Sequence, residues 1–180
     1  VEKAEEVTMK GLIICICTAM LFVIAGCAQS SPQVVELKRF PLDSLDGIIT
    51  QSGAELDTEN TSDGKGSLRI VVKAPTVVRL FEISDIAVEN ARLTYQAKLR
   101  SRNLEGQAYL EMWCHFPGRG EFFSRGLQDI VSGTMGWMTA ETPFFLRKGE
   151  KPDIVKLNLV INGKGTVWID DVRLLKGPLQ

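Results

Sequence analysis

Four residues at alternating positions of the stretch AYLEMWCHF, Tyr109, Glu111, Trp113 and His115, bring together two aromatic rings, a carboxylate and the only histidine of the chain. At a strand's period of two they share one face, while Ala108, Leu110, Met112, Cys114 and Phe116 share the other. The second set is a core face. The first set has the chemistry of a binding surface, since rings stack on flat partners and the polar groups orient them. It is equally compatible with an ordinary strand whose rings are covered by the loop after Pro117.

Catalysis asks for more than this face contains. A hydrolase needs a nucleophile with a base, or two carboxylates at a set separation. The sequence has no G-x-S-x-G, no metal-ligand cluster and no glycine loop of the phosphate-cradling kind. His115 has neither a nucleophile nor an orienting partner legible beside it, so the expectation is a protein that is not an enzyme. Cys114 lies on the apolar face and reads as a small buried hydrophobe rather than a reactive thiol.

The surrounding chain reads as short strands cut by turns. SDGKGS (residues 62–67) is a tight loop feeding LRIVVK. LTYQAKLRS puts Leu93, Tyr95, Ala97 and Leu99 on one face and Thr94, Gln96, Lys98 and Arg100 on the other. AYLEMWCHF follows, then the loop PGRGEFFSRG, WMTAETPFFL, the breaker RKGEKPD, IVKLNLVI, the turn NGKG, and TVWIDDVRLL. No amphipathic helix of useful length and no long-period repeat interrupts this pattern, which predicts an all-β sandwich.

The N-terminus is a different kind of sequence. Lys10 precedes GLIICICTAMLFVIAGC, an apolar run that ends at Cys27 and gives way to the polar AQSSPQ. A basic residue, an apolar stretch of about 13 residues and small residues before a cleavage point make a secretory signal. The closing IAGC resembles the lipobox of bacterial lipoproteins. That resemblance implies a signal peptide over residues 1–26, a true start at Met9 being compatible with it, and acylation of Cys27 as the first mature residue. An uncleaved membrane anchor over residues 11–28 is the other reading, because its length approaches the roughly 20 apolar residues of a spanning helix. Both place the remainder in the cell envelope, outside the cytoplasm. Residues 27–35 then form a tether, 36–176 one domain and 177–180 a tail. Acidic and basic residues are nearly equal over the whole chain, 22 against 21, and no basic stripe of the kind that binds nucleic acid is visible.

Residues 132–175, with Gly133, Thr134, Trp137 and the closing VWIDDVRL of residues 167–174, resemble the last strands of jelly-roll carbohydrate-binding modules of the galactose-binding-like group. DGKGSLRI of residues 63–70 is similar to their early loop and strand. The resemblance implies a jelly-roll β-sandwich and a noncatalytic, membrane-anchored carbohydrate-binding module. It implies a structural role for Trp137. In such modules one outer face holds sugar, so Tyr109, Glu111, Trp113 and His115, with Gln96, Lys98, Arg100, Lys156 and Asn158 on neighbouring strands and Arg119, Phe122, Phe123 and Arg125 in the following loop, are the candidate ligand-binding residues. The resemblance further implies a structural calcium at Asp170, with Glu36, Asp57, Glu59 and Asp63 as candidate partners. The alternative for Asp170 and Asp171 is a β-bulge whose carboxylates are solvated or accept backbone hydrogen bonds. The adjacent phenylalanines of GEFFSRG leave an envelope interaction protein, using the same surface against a protein partner, as the alternative function. The partners expected are therefore the lipid bilayer through Cys27, a carbohydrate or a protein, and no nucleic acid.

Overall fold

Two strands much longer than the usual 3–10 residues organise the domain. The computed structural model describes residues 33–179; the signal segment and Cys27 lie outside the described residues. In chain order the strands are β1 (Val35–Phe40), β2 (Ala54–Asp57), β3 (Ser67–Val72), β4 (Thr76–Ser84), β5 (Ala91–Phe116), β6 (Gly120–Arg125), β7 (Val131–Leu146) and β8 (Ile154–Gly177). Among the described residues every regular element is a strand.

β5 and β8 run antiparallel over almost their whole lengths, from Arg92 opposite Gly177 to His115 opposite Ile154. Midway, where Glu105 and Gly106 meet Lys164 and Gly163, the register slips and the pair turns from one sheet into the other. Glycine is required there because the two backbones approach too closely for a side chain. A Cβ on Gly106 would strike the carbonyl of Asn162, and one on Gly163 would strike the carbonyl of Glu105. Asn103 takes the left-handed conformation, φ 51°, on the same corner, which asparagine tolerates better than most side chains.

One sheet contains the first half of β5 and the second half of β8, with β7 beyond β5 and with β1, β3 and then β2 beyond β8. The other contains the second half of β5 and the first half of β8, flanked by β6 and β4. The two face each other. Phe40 of the first stacks on Phe81 of the second at 3.8 Å, and Phe116 of the second meets Phe144 of the first at 6.2 Å. Between them lie Leu93, Tyr95, Ala97 and Leu99, and also Leu110, Met112 and Cys114, all essentially without exposure. The alternation read from the sequence holds in both halves of β5. Burial pushes the Cys114 thiol up to about 12, as expected of a core sulfur.

Three expectations are corrected. LTYQAKLRS and AYLEMWCHF belong to one bent strand, and NGKG bends β8 rather than reversing it. The glycine pair lets both strands turn the corner while the ladder continues, and composition alone does not distinguish such a corner from a hairpin. PGRGEFFSRG is a short turn followed by a strand, β6, which lies beside β5 as its ladder partner.

Candidate functional site

Strand register assembles the outer face of the second sheet from four separate elements. Glu111 is opposite Asn158 on one side and Arg125 on the other, and Asn158 is opposite Arg79. The next row reads Glu82, Lys156, Trp113, Phe123, and the one after it Ser84, Ile154, His115, Glu121. Directly opposed residues share a face with their Cβ atoms about 5 Å apart. Val77, Arg79, Glu111, Trp113, Glu121, Lys156 and Asn158 line an open groove of about 320 Å³ on this face, within the range of small-ligand sites.

Glu111 anchors the groove floor. It is 4% exposed; one carboxylate oxygen accepts the indole N–H of Trp113 at 2.7 Å and the Asn158 amide at 3.5 Å, and the other accepts Nε of Arg125 at 2.7 Å. A buried carboxylate is costly unless its charge is met, and Arg125 meets it. The hydrogen bond that Arg125 donates to Glu111 in turn raises the Arg125 pKa. Both oxygens are therefore spent on holding neighbours. The indole of Trp113, half-buried, tilts against Phe123 at 4.9 Å, and the Arg125 guanidinium lies 4.5 Å over the Phe123 ring. Trp113 is thus fixed through both its N–H and its ring.

The remaining charges are paired within the rim. Lys156 bonds Glu121 at 2.6 Å and Arg79 bonds Glu82 at 3.0 Å. The lining offers as many cations as carboxylates. His115 Nδ1 and Asp153 Oδ1 are 2.6 Å apart beyond the groove; the hydrogen bond to His115 holds the Asp153 carboxyl below the usual carboxylate range.

The candidate residues thus separate into groups. Glu111, Trp113 and Asn158 are gathered in the groove, with Lys156 beside them. Tyr109 shares their face but is 8% exposed, so its ring is not an open platform. Gln96 and Arg100 stand on the outer face of the other sheet, where Gln96 donates to Glu141 and Arg100 lies over Trp168. Arg79, Glu121 and Val77 were not among the residues singled out. Two successive buried residues, Leu80 and Phe81, mark a register slip in β4 that breaks the simple alternation, and Glu121 belongs to β6, a strand whose glycine-flanked sequence resembles a loop. The alternating Val77 and Arg79 were the available signal.

Asp170 is fully buried. Its oxygens accept the backbone N–H groups of Ser62 and Asp171 at 2.8 and 2.7 Å. Burial foremost, with the nearby charge of Asp63, raises its pKa against those bonds. Asp171 takes φ 47° at a bulge opposite Ala97 and bonds Arg39 and Arg173. Glu36 faces Arg173, and Asp57 gives its carboxylate to Trp168, Asn60 and the Glu59 N–H. Of the early-loop acids, Asp63 is the one whose charge bears on Asp170. Among the described residues no three His, Cys, Asp or Glu side chains converge on a metal position.

No protein-family model matches the chain, and no curated protein sequence matches it. Solved structures do resemble it. The CBM22-1 xylan-binding domain of Paenibacillus barcinonensis Xyn10C superposes with a TM-score of 0.57 at 12% identity, over 82% of this chain and 97% of that one. The CBM22-1 and GH10 modules of Clostridium thermocellum endo-1,4-beta-D-xylanase 10B, complexed with xylohexaose, give 0.57 at 10% identity over 77% of this chain, which spans only 28% of that protein. A further CBM 22 xylan-binding domain gives 0.50 at 12% identity, over 81% of this chain and 96% of that one. At such identities the likeness is one of fold, the jelly-roll β-sandwich.

Proposed function

We propose that the chain is a noncatalytic module of the bacterial envelope that binds a neutral polysaccharide in the groove of the second sheet. The observation that carries this reading is the immobilised Trp113 at the floor of a groove whose charges are internally paired. A sugar ring presents an apolar face to an indole and hydroxyls to Asn158, Lys156, Arg79 and Glu121. Because Glu111 and Phe123 already hold the ring, little ordering remains to be lost on binding. Tyr109 stands on the same face beside Glu111 with little exposure, and His115 with Asp153 extends the face beyond the groove.

Two solved structures of similar fold named as xylan-binding domains make xylan the first ligand to try. A calcium ion at Asp170 belongs to the same reading: the carboxylate is buried, its hydrogen bonds come from Ser62 and the Asp171 backbone N–H, and among the described residues no cationic side chain forms an ion pair with it. The ion would tie the early loop to β8. Acylation at Cys27 would attach the module to the bilayer.

The alternative is a protein partner that docks on Phe122 and Phe123, 44% and 51% exposed on β6 at the sheet edge. Affinity electrophoresis of the full chain in gels containing neutral β-glycans separates the two. Retardation by such a glycan, lost in Trp113→Ala and kept in Phe122→Ser, is the expected result. Absence of retardation across a broad neutral panel, or retardation unchanged in Trp113→Ala, overturns the groove reading.

A further inference from the structure

Three cations follow one another along the outward face of the other sheet. Lys98, Arg100 and Arg102 occupy alternate positions of β5, a file of about 13 Å at the rise of a strand. None of them forms an ion pair within 4.0 Å among the described residues, whereas their neighbours on the same face do: Arg69 pairs with Glu55 at 2.9 Å, and Arg39 and Arg173 pair with Asp171 at 2.8 and 2.6 Å. Asp170, opposite Lys98 in the ladder, has given its oxygens to backbone N–H groups. Lys98 donates instead to the hydroxyl of Thr139 at 2.7 Å.

The two guanidinium groups are held in place. They lie 5.5 and 5.1 Å from the centre of the Trp168 ring. Trp168 is fully buried yet outside the core cluster, because it sits on the outward face opposite Arg100 and Arg69 and beneath the arginines. Its indole N–H donates to Asp57 at 2.7 Å, and Asp57 is fixed by Asn60. Stacking on an indole is favourable for arginine and leaves the planar fork of donors available for a bidentate anion.

We propose that this face is a second binding site, which takes the carboxylate or sulfate groups of an acidic polysaccharide. Single-stranded nucleic acid is the less suitable polyanion, since its bases need exposed rings to stack on and Trp168 has no exposed surface. The site is independent of the groove, which lies on the opposite sheet, and either can fail without the other.

The test is affinity electrophoresis of the full chain at low salt in gels containing polygalacturonate, dextran sulfate or neutral xylan. Polygalacturonate or dextran sulfate should retard the protein, with retardation falling as sodium chloride is added. In the double variant Arg100→Gln/Arg102→Gln the apparent affinity should fall at least about tenfold, while Trp113→Ala should bind these polyanions as the native chain does. Trp168→Phe, which keeps a ring but not the bond to Asp57, should weaken binding less than the double variant. Should the glutamine pair unfold the protein, Arg100→Lys/Arg102→Lys retains the charge without the stacked fork and should still weaken binding severalfold. No retardation by either polyanion overturns the proposal. So does retardation unchanged in the double variants, or tighter binding to oligothymidylate or phosphatidylserine vesicles than to either polysaccharide.

Discussion

The carboxylate of Glu111 accepts the indole N–H of Trp113 at 2.7 Å, two residues along the same strand face. This makes Glu111 a positioning residue for the ring above it. Glu111→Gln should leave Arg125 without its charge partner and cost about 1.5–3 kcal/mol in stability, the range for a hydrogen bond to a charged group. Glycan affinity should fall while the fold persists. Trp113→Ala, at a half-buried site, should cost about 1–2 kcal/mol. Urea unfolding read beside a binding titration checks both; wild-type affinity in folded Glu111→Gln would remove its positioning role.

Acid stability should carry the mark of Asp57. Burial opposes its charge, but hydrogen bonds from Asn60, Trp168 and Glu59 outweigh this and hold the carboxyl at about 2. A folded pKa below the unfolded one stabilises above the unfolded value, and that stability is lost as pH falls toward 2. Allowing for partial exposure, the contribution is about 1–2 kcal/mol. Asp170, whose pKa is raised by burial, acts in the opposite sense: its contribution is present below the unfolded pKa and lost as pH rises through the folded one. Asp57→Asn should therefore lower stability at pH 7 and flatten the loss between about pH 4 and 2, as measured by urea midpoints across that range.

The corner between the sheets should tolerate no side chain at its closest point. Gly163→Ala sets a methyl group against the Glu105 carbonyl, so β5 and β8 must separate or shift register. The expected cost is at least about 3 kcal/mol, toward the upper end for a single substitution, read as a fall in thermal midpoint. Gly118→Ala, at a turn with open space around it, should lose less, mainly through its φ of 72°.

Calcium at Asp170 would bind the folded chain and raise its melting temperature by mass action. Chelator should then lower the midpoint of the native chain and leave Asp170→Asn unmoved. Coincident melting curves with calcium and with chelator would leave the bulge and its backbone hydrogen bonds as the whole account of this aspartate.

Cys27→Ala should block maturation and leave a longer precursor, because stable attachment to a bilayer requires more than one acyl chain and the cysteine carries them all in this scheme. Normal processing and membrane partition of the variant would exclude the lipobox reading. Immunoblotting of fractionated cells is sufficient for the comparison.

Some of this was available from local chemistry alone. Strict alternation along residues 93–99 and 108–116 assigned the buried face of β5, since strand periodicity depends only on neighbouring residues. The same reasoning placed Cys114 in the core and set Glu111 and Trp113 together on the other face. What the sequence could not contain was pairing across long separations. That the two stretches form one bent strand depends on Gly106 meeting Gly163. That Arg79 enters the groove depends on a slip in β4, and the role of Phe123 and Arg125 depends on β6 docking in register beside β5. Gln96 and Arg100 look equivalent to Glu111 and Trp113 along the strand, yet the corner at residues 103–106 sends them to opposite outer surfaces of the sandwich. Side-chain alternation is a property of a short peptide; which outer face a side chain reaches is decided only when the sheets close over the core.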